Sequence, residues 1–177
     1  MGKKTMPKQN RHRSKQDVAT PVELIYAVEE VFGKIDFDLA ASKKNSKAGK
    51  TFFSRADNSL ARDWEVAVGT SGVGWLNPPY ADIEPWVAKA ASYSSSPMTI
   101  LVLVPASVGS VWWRKYVHDE AEVLFLSPRV RFVGHNQGYV KDLALLVYGR
   151  NASKGVYRPW RWNEPGAPED QSIDLWG

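Results

Sequence analysis

Continuous apolar runs alternate along this chain with segments in which apolar residues recur at helical spacing. The longest run, Met98 to Val104, contains no charged residue, which is typical of a strand covered on both faces of a parallel sheet. Apolar positions repeated every three or four residues predict helices over 21–32 and from Ile83 to about Tyr93, and a third is expected from Gly109 to Val117. Strands alternating with helices predict a doubly wound α/β sheet.

The remaining strands are expected in the apolar segments between these helices. Arg129 to Val133 and Leu143 to Tyr148 flank a polar loop and are predicted to pair antiparallel, so the sheet should be mostly parallel with an antiparallel last strand. The other predicted strands are Ile35 to Ala40, Trp64 to Val68, Gly72 to Leu76 and Ala121 to Leu126.

Thr20-Pro21 marks the expected start of the globular domain, which we place at residues 20–150. Thr20 is predicted to cap the first helix, with Pro21 at its first position and Gly33 ending it. Residues 151–177 contain several prolines and tryptophans without a clear period, so we expect an irregular C-terminal tail.

Charge is concentrated at the N-terminus. The chain has a formal net charge of +4, and residues 1–19 carry six basic side chains against one acid, Asp17. Residues 1–19 also contain few apolar side chains, and their burial could not offset the conformational entropy lost on ordering. This basic tail is therefore expected to be flexible. Such a tail could add affinity for nucleic acid by counterion release, or could serve solubility alone.

Composition narrows the class of protein. The chain has no cysteine, which excludes a disulfide framework and a thiolate zinc site. No apolar run approaches the roughly 20 residues of a membrane span, and the basic N-terminus lacks the apolar core of a secretory signal. His12, His118 and His135 are scattered, so no metal site is predicted. We expect a cytoplasmic protein without a membrane anchor.

Asn77-Pro78-Pro79-Tyr80 directly follows a predicted buried strand and has residue types suited to methylating a planar amine. Such an amine needs acceptors for two N–H groups, which the Asn77 side chain and the Pro78 carbonyl supply. Proline fixes φ and therefore the direction of that carbonyl. Pro79 stiffens the turn, and the Tyr80 ring can stack on an extruded base. By themselves these four residues suit DNA, RNA or a protein glutamine amide, and they would also suit a plain polar turn.

Asp38 to Ser42 follow an earlier predicted strand. Ligands of open α/β sheets bind beyond the carboxyl ends of the strands, so we expect this segment and Asn77 to face one site. Asp38 could accept a hydrogen bond from a cofactor hydroxyl or amine, and the small residues Ala40 and Ser42 allow close approach of the backbone. An ordinary turn would look similar, because there is no Gly-x-Gly-x-x-Gly motif.

Taken in order, these motifs resemble a known family, the small phage-type DNA N6-adenine methyltransferases, often called Dam-like. The order and spacing of the whole set are more specific than any one motif, and the resemblance fades near residue 148. It is carried by Thr20-Pro21, Asp38-Leu39-Ala40-Ala41-Ser42 with Asn45, Phe53, Asp57-Asn58-Ser59-Leu60 with Asp63-Trp64, Leu76-Asn77-Pro78-Pro79-Tyr80, Trp86-Val87-x-Lys89-Ala90 and Leu103-Val104-Pro105-Ala106.

The resemblance implies a Rossmann-like sheet that binds S-adenosylmethionine and methylates N6 of a flipped adenine in double-stranded DNA, for which a monomer is a possible form. Asp57 would contact the cofactor nucleoside, although it could instead form a turn with Asn58 and Ser59. The other implied cofactor-binding residues are Thr20 and Pro21 near the methionine end, and Asp38, Ala40 and Ser42 along the pocket, with Asn45 supporting the loop.

Two alternatives to a DNA methyltransferase stay open. The same acceptors would serve an enzyme acting on RNA or on a protein glutamine amide. A non-catalytic nucleic-acid-binding module could keep the fold, but the intact sequence from Asn77 to Tyr80 argues against it.

The expected DNA contacts are less well defined than the chemistry. Ser107 stands where the family usually has an arginine, whose contact could be supplied by Arg114 or Lys115. The polar loop around His135 contains residue types that contact phosphates or base edges, although an ordinary solvated hairpin would look alike. The predicted DNA-binding residues are Arg129, Arg131, Asn136 and Gln137.

Overall fold

A computed structural model of the protein describes residues 19–168, which form four helices and six strands joined by loops and three short 3₁₀ turns. The helices are α1 (Val22–Phe32), α2 (Trp64–Val68), α3 (Glu84–Ala91) and α4 (Val111–Tyr116). The strands are β1 (Phe37–Asp38), β2 (Val73–Leu76), β3 (Thr99–Pro105), β4 (Glu122–Ser127), β5 (Leu143–Gly149) and β6 (Tyr157–Arg161). The 3₁₀ turns are Arg55–Asp57, Ser59–Ala61 and Tyr80–Asp82.

All six strands belong to one sheet in the order β1-β2-β3-β5-β4-β6. β1, β2 and β3 are parallel to one another, as are β4 and β6, whereas β5 runs antiparallel to both of its neighbours. The predicted α/β sheet, mostly parallel with one antiparallel strand, is therefore confirmed. The carboxyl ends of β1, β2 and β3 lie side by side at one edge, because Asp38 pairs with Trp75 and Leu76 with Val102.

The sheet separates two apolar layers, which explains the uninterrupted apolar run of β3. All seven β3 residues are buried. Ile100, Val102 and Val104 belong to the layer covered by α2, α3 and α4, while Leu101 and Leu103 belong to the layer covered by α1. Successive side chains of a strand point to opposite faces, so a strand covered on both sides has no polar position left.

The prediction of a strand at residues 64–68 is wrong, because this segment is helix α2. Asp63 caps it, with its side chain accepting hydrogen bonds from the backbone N–H groups of Glu65 at 2.9 Å and Val66 at 3.4 Å. Trp64 and Val68 are buried, whereas Val66 is 83% exposed. Burial four residues apart follows the helical period, and the short apolar segment alone did not distinguish the two.

The predicted antiparallel pair between residues 129–133 and β5 is also wrong. Both edges of β5 are occupied, by β3 and by β4. Residues 129–133 instead belong to a loop in which the Tyr139 N–H donates to the Val130 carbonyl at 2.8 Å. Val130 and Phe132 are buried in the α1-side layer. Their alternation reflects the packing of a loop against the sheet.

The expectation that residues 151–177 are irregular is wrong for Tyr157–Arg161, which form β6. This strand pairs with β4 from Val123–Tyr157 to Ser127–Arg161. Edge strands bury few residues, here Trp160 alone, and so lack a strong apolar pattern. Pro159 is compatible with an edge strand, where one side of the backbone needs no partner. The predicted basic tail, apart from Ala19, and residues 169–177 lie outside the described residues.

The first helix begins one residue later than expected. Pro21 rather than Thr20 occupies the N-cap, in an extended conformation, and no side chain caps the helix. Thr20 is instead buried beside Asn77. The predicted end of α1 at Gly33 is confirmed, as are the helices corresponding to α3 and α4. Of the helices within residues 19–168, none is long and apolar enough to cross a membrane.

Candidate active site

The two motifs predicted to face one site lie side by side at the carboxyl edge of the sheet. Asp38 ends β1, Asn77 follows β2, and the two strands continue together through a hydrogen bond from the Leu39 N–H to the Trp75 carbonyl at 2.8 Å. A narrow cleft separates the motifs; we call it the cofactor cleft. It is lined by Ala19, Thr20, Asp38, Ala40, Asn45, Lys47, Trp75 and Asn77.

Asp38 supplies a buried carboxylate to the lining of the cleft, with 3% of its surface exposed. Its side chain accepts hydrogen bonds from the backbone N–H groups of Lys47 at 2.8 Å and Ala40 at 3.3 Å. Burial raises the pKa of Asp38 to about 6, although these hydrogen bonds and the Lys47 charge lower it. The group is therefore largely ionised at neutral pH, and burial makes it a strong acceptor for a donor entering the cleft.

Residues 42–50 fold across the mouth of the cleft. The Lys47 side chain extends to the other wall, where its Nζ donates to the Thr20 carbonyl at 2.7 Å. The turn that carries Lys47 is held by Asn45, whose side-chain oxygen accepts from the Ser42 N–H and from the Ser42 hydroxyl, the latter at 2.9 Å. Ser42 thus points to Asn45, and the pair supports the loop that closes over the cleft.

Thr20 joins the two predicted motifs. Its side chain is buried, and its Oγ1 accepts a hydrogen bond from Asn77 Nδ2 at 3.5 Å. This long contact turns the nitrogen end of the Asn77 amide toward Thr20, so the amide has a preferred orientation. Pro21, the next residue, is also buried and occupies the N-cap of α1. Thr20, Asp38 and Asn77 are thus brought together from three elements.

Tyr80 lies just outside the cofactor cleft, at the start of the Tyr80–Asp82 turn. The residue is half-buried, but its hydroxyl is fully buried and has no hydrogen-bond partner among residues 19–168. Burial raises the pKa of Tyr80 well above its usual value. The ring meets Tyr139 edge-on, with centroids 5.9 Å apart. The hydroxyl end of the side chain is thus buried, while the residue as a whole keeps some exposed surface.

Asp57 is not brought into the cofactor cleft. It ends the Arg55–Asp57 turn, where its carboxylate accepts from the Ser54 N–H at 2.7 Å and the Ser54 hydroxyl at 2.6 Å. These hydrogen bonds lower the pKa of Asp57. In this arrangement the carboxylate closes a local capping box with the preceding residue Ser54, whereas the turn considered from the sequence involved the following residues Asn58 and Ser59.

The predicted DNA-contacting residues are exposed on one long loop, residues 128–142, which we call the target loop. The loop reaches the cleft region through Val133, whose N–H donates to the Ala19 carbonyl at 3.0 Å, and through Tyr139 against Tyr80. Its end is tied to β3 by the Ala106 N–H, which donates to the Asp142 carbonyl at 2.9 Å. The exposed predicted residues are Arg129, Arg131, Asn136 and Gln137.

Arg129 is engaged within the protein. Its Nε lies 2.8 Å from Asp142 Oδ1, so the pair joins the two ends of the target loop. Arg114 and Lys115, considered as substitutes near Ser107, are exposed on α4, where Lys115 faces Glu84 at 3.8 Å. The basic side chains near the site are therefore distributed over the target loop and α4.

Sequence reasoning missed Lys47 and Tyr139. Lys47 lies in the long polar segment after β1, where no periodicity distinguishes one lysine from its neighbours. Tyr139 gave a weak signal, as an aromatic residue in a polar loop. Both contacts join residues far apart in sequence, Lys47 with Thr20 and Tyr139 with Tyr80, and so could not be inferred from spacing.

Two phage proteins are similar to this chain in sequence. The DNA N-6-adenine-methyltransferase of Escherichia phage T1 is 34% identical over 138 residues, which cover 78% of this chain and 56% of that protein. The enzyme of the same name from Haemophilus phage HP1 (strain HP1c1) is 29% identical over 141 residues, covering 77% of this chain and 78% of that protein. The chain thus spans little more than half the length of the phage T1 relative.

A more distant likeness is to a solved structure, the methyltransferase subunit of a type I restriction-modification system from Streptococcus thermophilus. The TM-score is 0.41 at 13% identity, over 81% of this chain and 47% of that one, which is too remote to bear on function. The sequence model of the family described as DNA N-6-adenine-methyltransferase (Dam) matches residues 8–144, most of the chain. The chain therefore belongs to the DNA N-6-adenine-methyltransferase (Dam) family.

Proposed function

We propose that this protein transfers a methyl group from S-adenosylmethionine to N6 of an adenine extruded from double-stranded DNA. One observation carries the proposal. In a member of the Dam family, Asn77-Pro78-Pro79-Tyr80 follows β2 directly beside the buried carboxylate of Asp38 at the end of β1. A cofactor held at β1 would thus be next to a base held at Asn77.

The residues of the cofactor cleft fit this cofactor. S-adenosylmethionine supplies an electrophilic methyl group on a positively charged sulfur. Asp38 offers an ionised acceptor suited to a hydroxyl or ammonium group. The side chains of Ala40 and Thr20 are small, so the cofactor could lie close to the backbone of the cleft. The cleft encloses about 30 Å³, whereas small-molecule pockets usually enclose roughly 300–1,000 Å³. Binding therefore requires Lys47 and its loop to move away from Thr20.

Asp57 keeps a proposed role at the nucleoside end of the cofactor. Its carboxylate is bonded to Ser54, outside the cleft. A contact with the cofactor would use an oxygen lone pair that these two hydrogen bonds leave available, since a carboxylate has about four acceptor positions.

The base would be held by acceptors of fixed direction. The Asn77 side chain and the Pro78 carbonyl would accept hydrogen bonds from the N6 amine and draw it toward tetrahedral geometry. The lone pair is then localised on nitrogen instead of being shared with the ring, and it can attack the methyl carbon in line. The Tyr80 ring would stack on the extruded base, which a duplex cannot otherwise present.

Proton loss requires no strong base at this site. As the N–C bond forms and the C–S bond breaks, the nitrogen becomes positively charged and the departing sulfur becomes neutral. The N6 proton is then acidic and passes from its hydrogen bond with Asn77 or Pro78 to water. Among residues 19–168 there is no group of three or more His, Cys, Asp or Glu side chains that could hold a metal ion.

Duplex binding is assigned to the target loop. Arg129 and Arg131 would contact phosphates, while Asn136 and Gln137 have the donor and acceptor groups needed at base edges. All four are exposed at the edge of the sheet that carries Asn77. Double-stranded DNA is thus the proposed macromolecular substrate.

The test compares substrates directly. Purified protein and an Asn77→Ala variant are incubated with methyl-labelled S-adenosylmethionine and with unmethylated DNA, RNA or protein extract. Label recovered from DNA as N6-methyladenine, and absent with the variant, is expected. Label found only in RNA or protein would contradict the DNA assignment, and failure to bind the cofactor would contradict the enzyme class.

A further inference from the structure

The segment after β5 lies beyond residues 8–144, the part of the chain that the family model matches. Its strand β6 nevertheless extends the same sheet, parallel to β4. β4 leads into the target loop, because it ends at Ser127 and the loop begins at Pro128. β6 therefore lies beside the strand from which the proposed DNA-binding loop departs.

Trp160 on β6 shares a core with the target loop. Its side chain is 1% exposed and lies in the same apolar cluster as Val130 and Phe132. These two loop residues are buried, whereas Arg129 and Arg131 between and beside them are exposed. The exposed arginines thus alternate along the chain with Val130 and Phe132, which belong to the same apolar cluster as Trp160 of β6.

Trp162, directly after β6, makes two hydrogen bonds where β4 passes into the target loop, one to the last residue of β4 and one to the first residue of the loop. Its backbone N–H donates to the Ser127 carbonyl at 3.1 Å, which continues the β4–β6 pairing. Its indole Nε1–H donates to the Pro128 carbonyl at 2.7 Å. The second bond is made by a side chain, so a substitution can remove it without removing the first.

A second side-chain contact at the base of the loop is an exposed ion pair. Arg129 and Asp142 form an ion pair, but their side chains are 57% and 70% exposed. Exposed ion pairs contribute little, because water and salt screen them. The indole hydrogen bond to Pro128 joins the loop to a strand of the sheet, so it constrains the direction in which Arg129 and the residues after it leave β4.

We infer that Trp162 is a positioning residue for DNA binding, holding the start of the target loop in the orientation in which its exposed side chains meet the duplex. This inference rests on the proposed function. A loop ordered before binding loses less conformational entropy when it binds, so the benefit appears in affinity for DNA. Trp162 lies away from the cofactor cleft, and the step of methyl transfer does not depend on it.

The experiment uses Trp162→Phe, which keeps an aromatic ring but removes the indole donor. Trp86→Phe is the matched control, since Trp86 is also a half-buried tryptophan and packs in the opposite apolar layer. Four quantities are measured on the full chain: KM for unmethylated plasmid DNA, kcat at saturating DNA, the dissociation constant for S-adenosylmethionine, and amide hydrogen exchange along residues 128–142.

For Trp162→Phe we expect KM for DNA to rise roughly fivefold, the scale of one lost hydrogen bond. The kcat and the cofactor dissociation constant should stay within about twofold of the wild-type values. Hydrogen exchange should accelerate in residues 128–142 and not in β1 or β2. Trp86→Phe should change neither KM for DNA nor exchange in the target loop.

Two results would overturn the inference. One is an unchanged KM for DNA together with unchanged exchange in the loop. The other is a parallel loss of kcat, cofactor affinity and thermal stability, which would make Trp162 a general support of the fold. Failure of the wild-type protein to methylate DNA would instead contradict the proposed function, while the exchange measurement would still report on whether Trp162 orders the loop.

Discussion

The cofactor cleft and the target loop lie at the same edge of the sheet but are built in opposite ways. Thr20 and Asp38 of the cleft are buried, and Asp38 and Asn77 directly continue parallel strands. The target loop is a stretch of 15 residues without a strand or helix, and most of its side chains are exposed. Under the proposed function, chemistry that needs fixed acceptors would take place at the sheet, and substrate recognition would take place on a loop.

Electrostatics separates the two regions as well. In the cleft, Asp38 is deprived of water, and its pKa rises to about 6. In the target loop, the carboxylate of Asp142 is 70% exposed and faces Arg129. A buried charge costs stability and interacts strongly with a ligand, while an exposed charge does neither. Substitutions in the cleft should therefore affect catalysis and stability, and those in the loop should affect DNA affinity.

The largest effect is expected at Asn77. Asn77→Ala removes a side-chain acceptor for the N6 amine and should lower kcat by about two to three orders of magnitude. Asn77→Asp keeps acceptor oxygens and should retain more activity than the alanine variant. Cofactor binding, measured by calorimetry, should persist in both. Equal activity of Asn77→Ala and the wild-type protein would remove this residue from the reaction.

Asp38→Asn should weaken cofactor binding by roughly 10- to 100-fold, the value of one hydrogen bond to a charged group. Asp142→Asn, in the target loop, is the control and should leave cofactor affinity unchanged. In the wild-type protein cofactor affinity should fall as pH drops below about 6, where Asp38 becomes protonated. Calorimetry at several pH values measures both effects, and a pH-independent affinity would contradict the assignment.

Folding stability should depend on Asp38 in the opposite direction. Its pKa is about 6 in the folded protein and 3.8 in the unfolded reference, so the folded state binds the proton more tightly. The stabilisation is fully present below pH 3.8 and is lost as pH rises through 6, amounting to about 3 kcal/mol. Urea unfolding from pH 4 to 7 should show a flatter dependence for Asp38→Asn. An unchanged slope would contradict this prediction.

A smaller effect is expected from the target loop. Arg131→Ala should weaken DNA binding about threefold to fivefold for all DNA sequences. The slope of the logarithm of the binding constant against the logarithm of salt concentration should fall by about one, the value of one phosphate contact. Arg150→Ala is the control, because Arg150 follows β5, which runs antiparallel to its neighbours and ends at the opposite edge of the sheet. Fluorescence anisotropy across salt concentrations measures both. Equal salt slopes for the two variants would remove Arg131 from the DNA interface.

The smallest effect is expected at the Tyr80 hydroxyl, which is buried without a hydrogen-bond partner among the described residues. Tyr80→Phe removes this group and should raise the free energy of unfolding by about 1 kcal/mol. The ring remains available for stacking, so kcat should stay within about twofold. Chemical unfolding and kinetics measure the two quantities. A tenfold loss of kcat would show that the hydroxyl takes part in the reaction.

Elements that bury a complete face were predictable from the sequence. β3 and the helix at residues 84–91 have patterns that only one secondary structure can satisfy. Segments with fewer buried positions were misassigned: Trp64–Val68 proved helical, residues 129–133 proved a loop, and β6 proved a strand. In each of these the local apolar pattern is short, and neighbours distant in sequence decide which residues become buried.

By itself, the sequence of this protein determined which residues are candidates for the proposed chemistry. Asn77-Pro78-Pro79-Tyr80 and Asp38 were identifiable because strand ends in an α/β sheet are where ligands bind. Only the tertiary structure decided that Thr20 contacts Asn77, that Lys47 reaches the Thr20 carbonyl, and that Trp162 donates a hydrogen bond to the start of the target loop. Such contacts depend on how the chain returns to the sheet after many residues, and no local periodicity records that path.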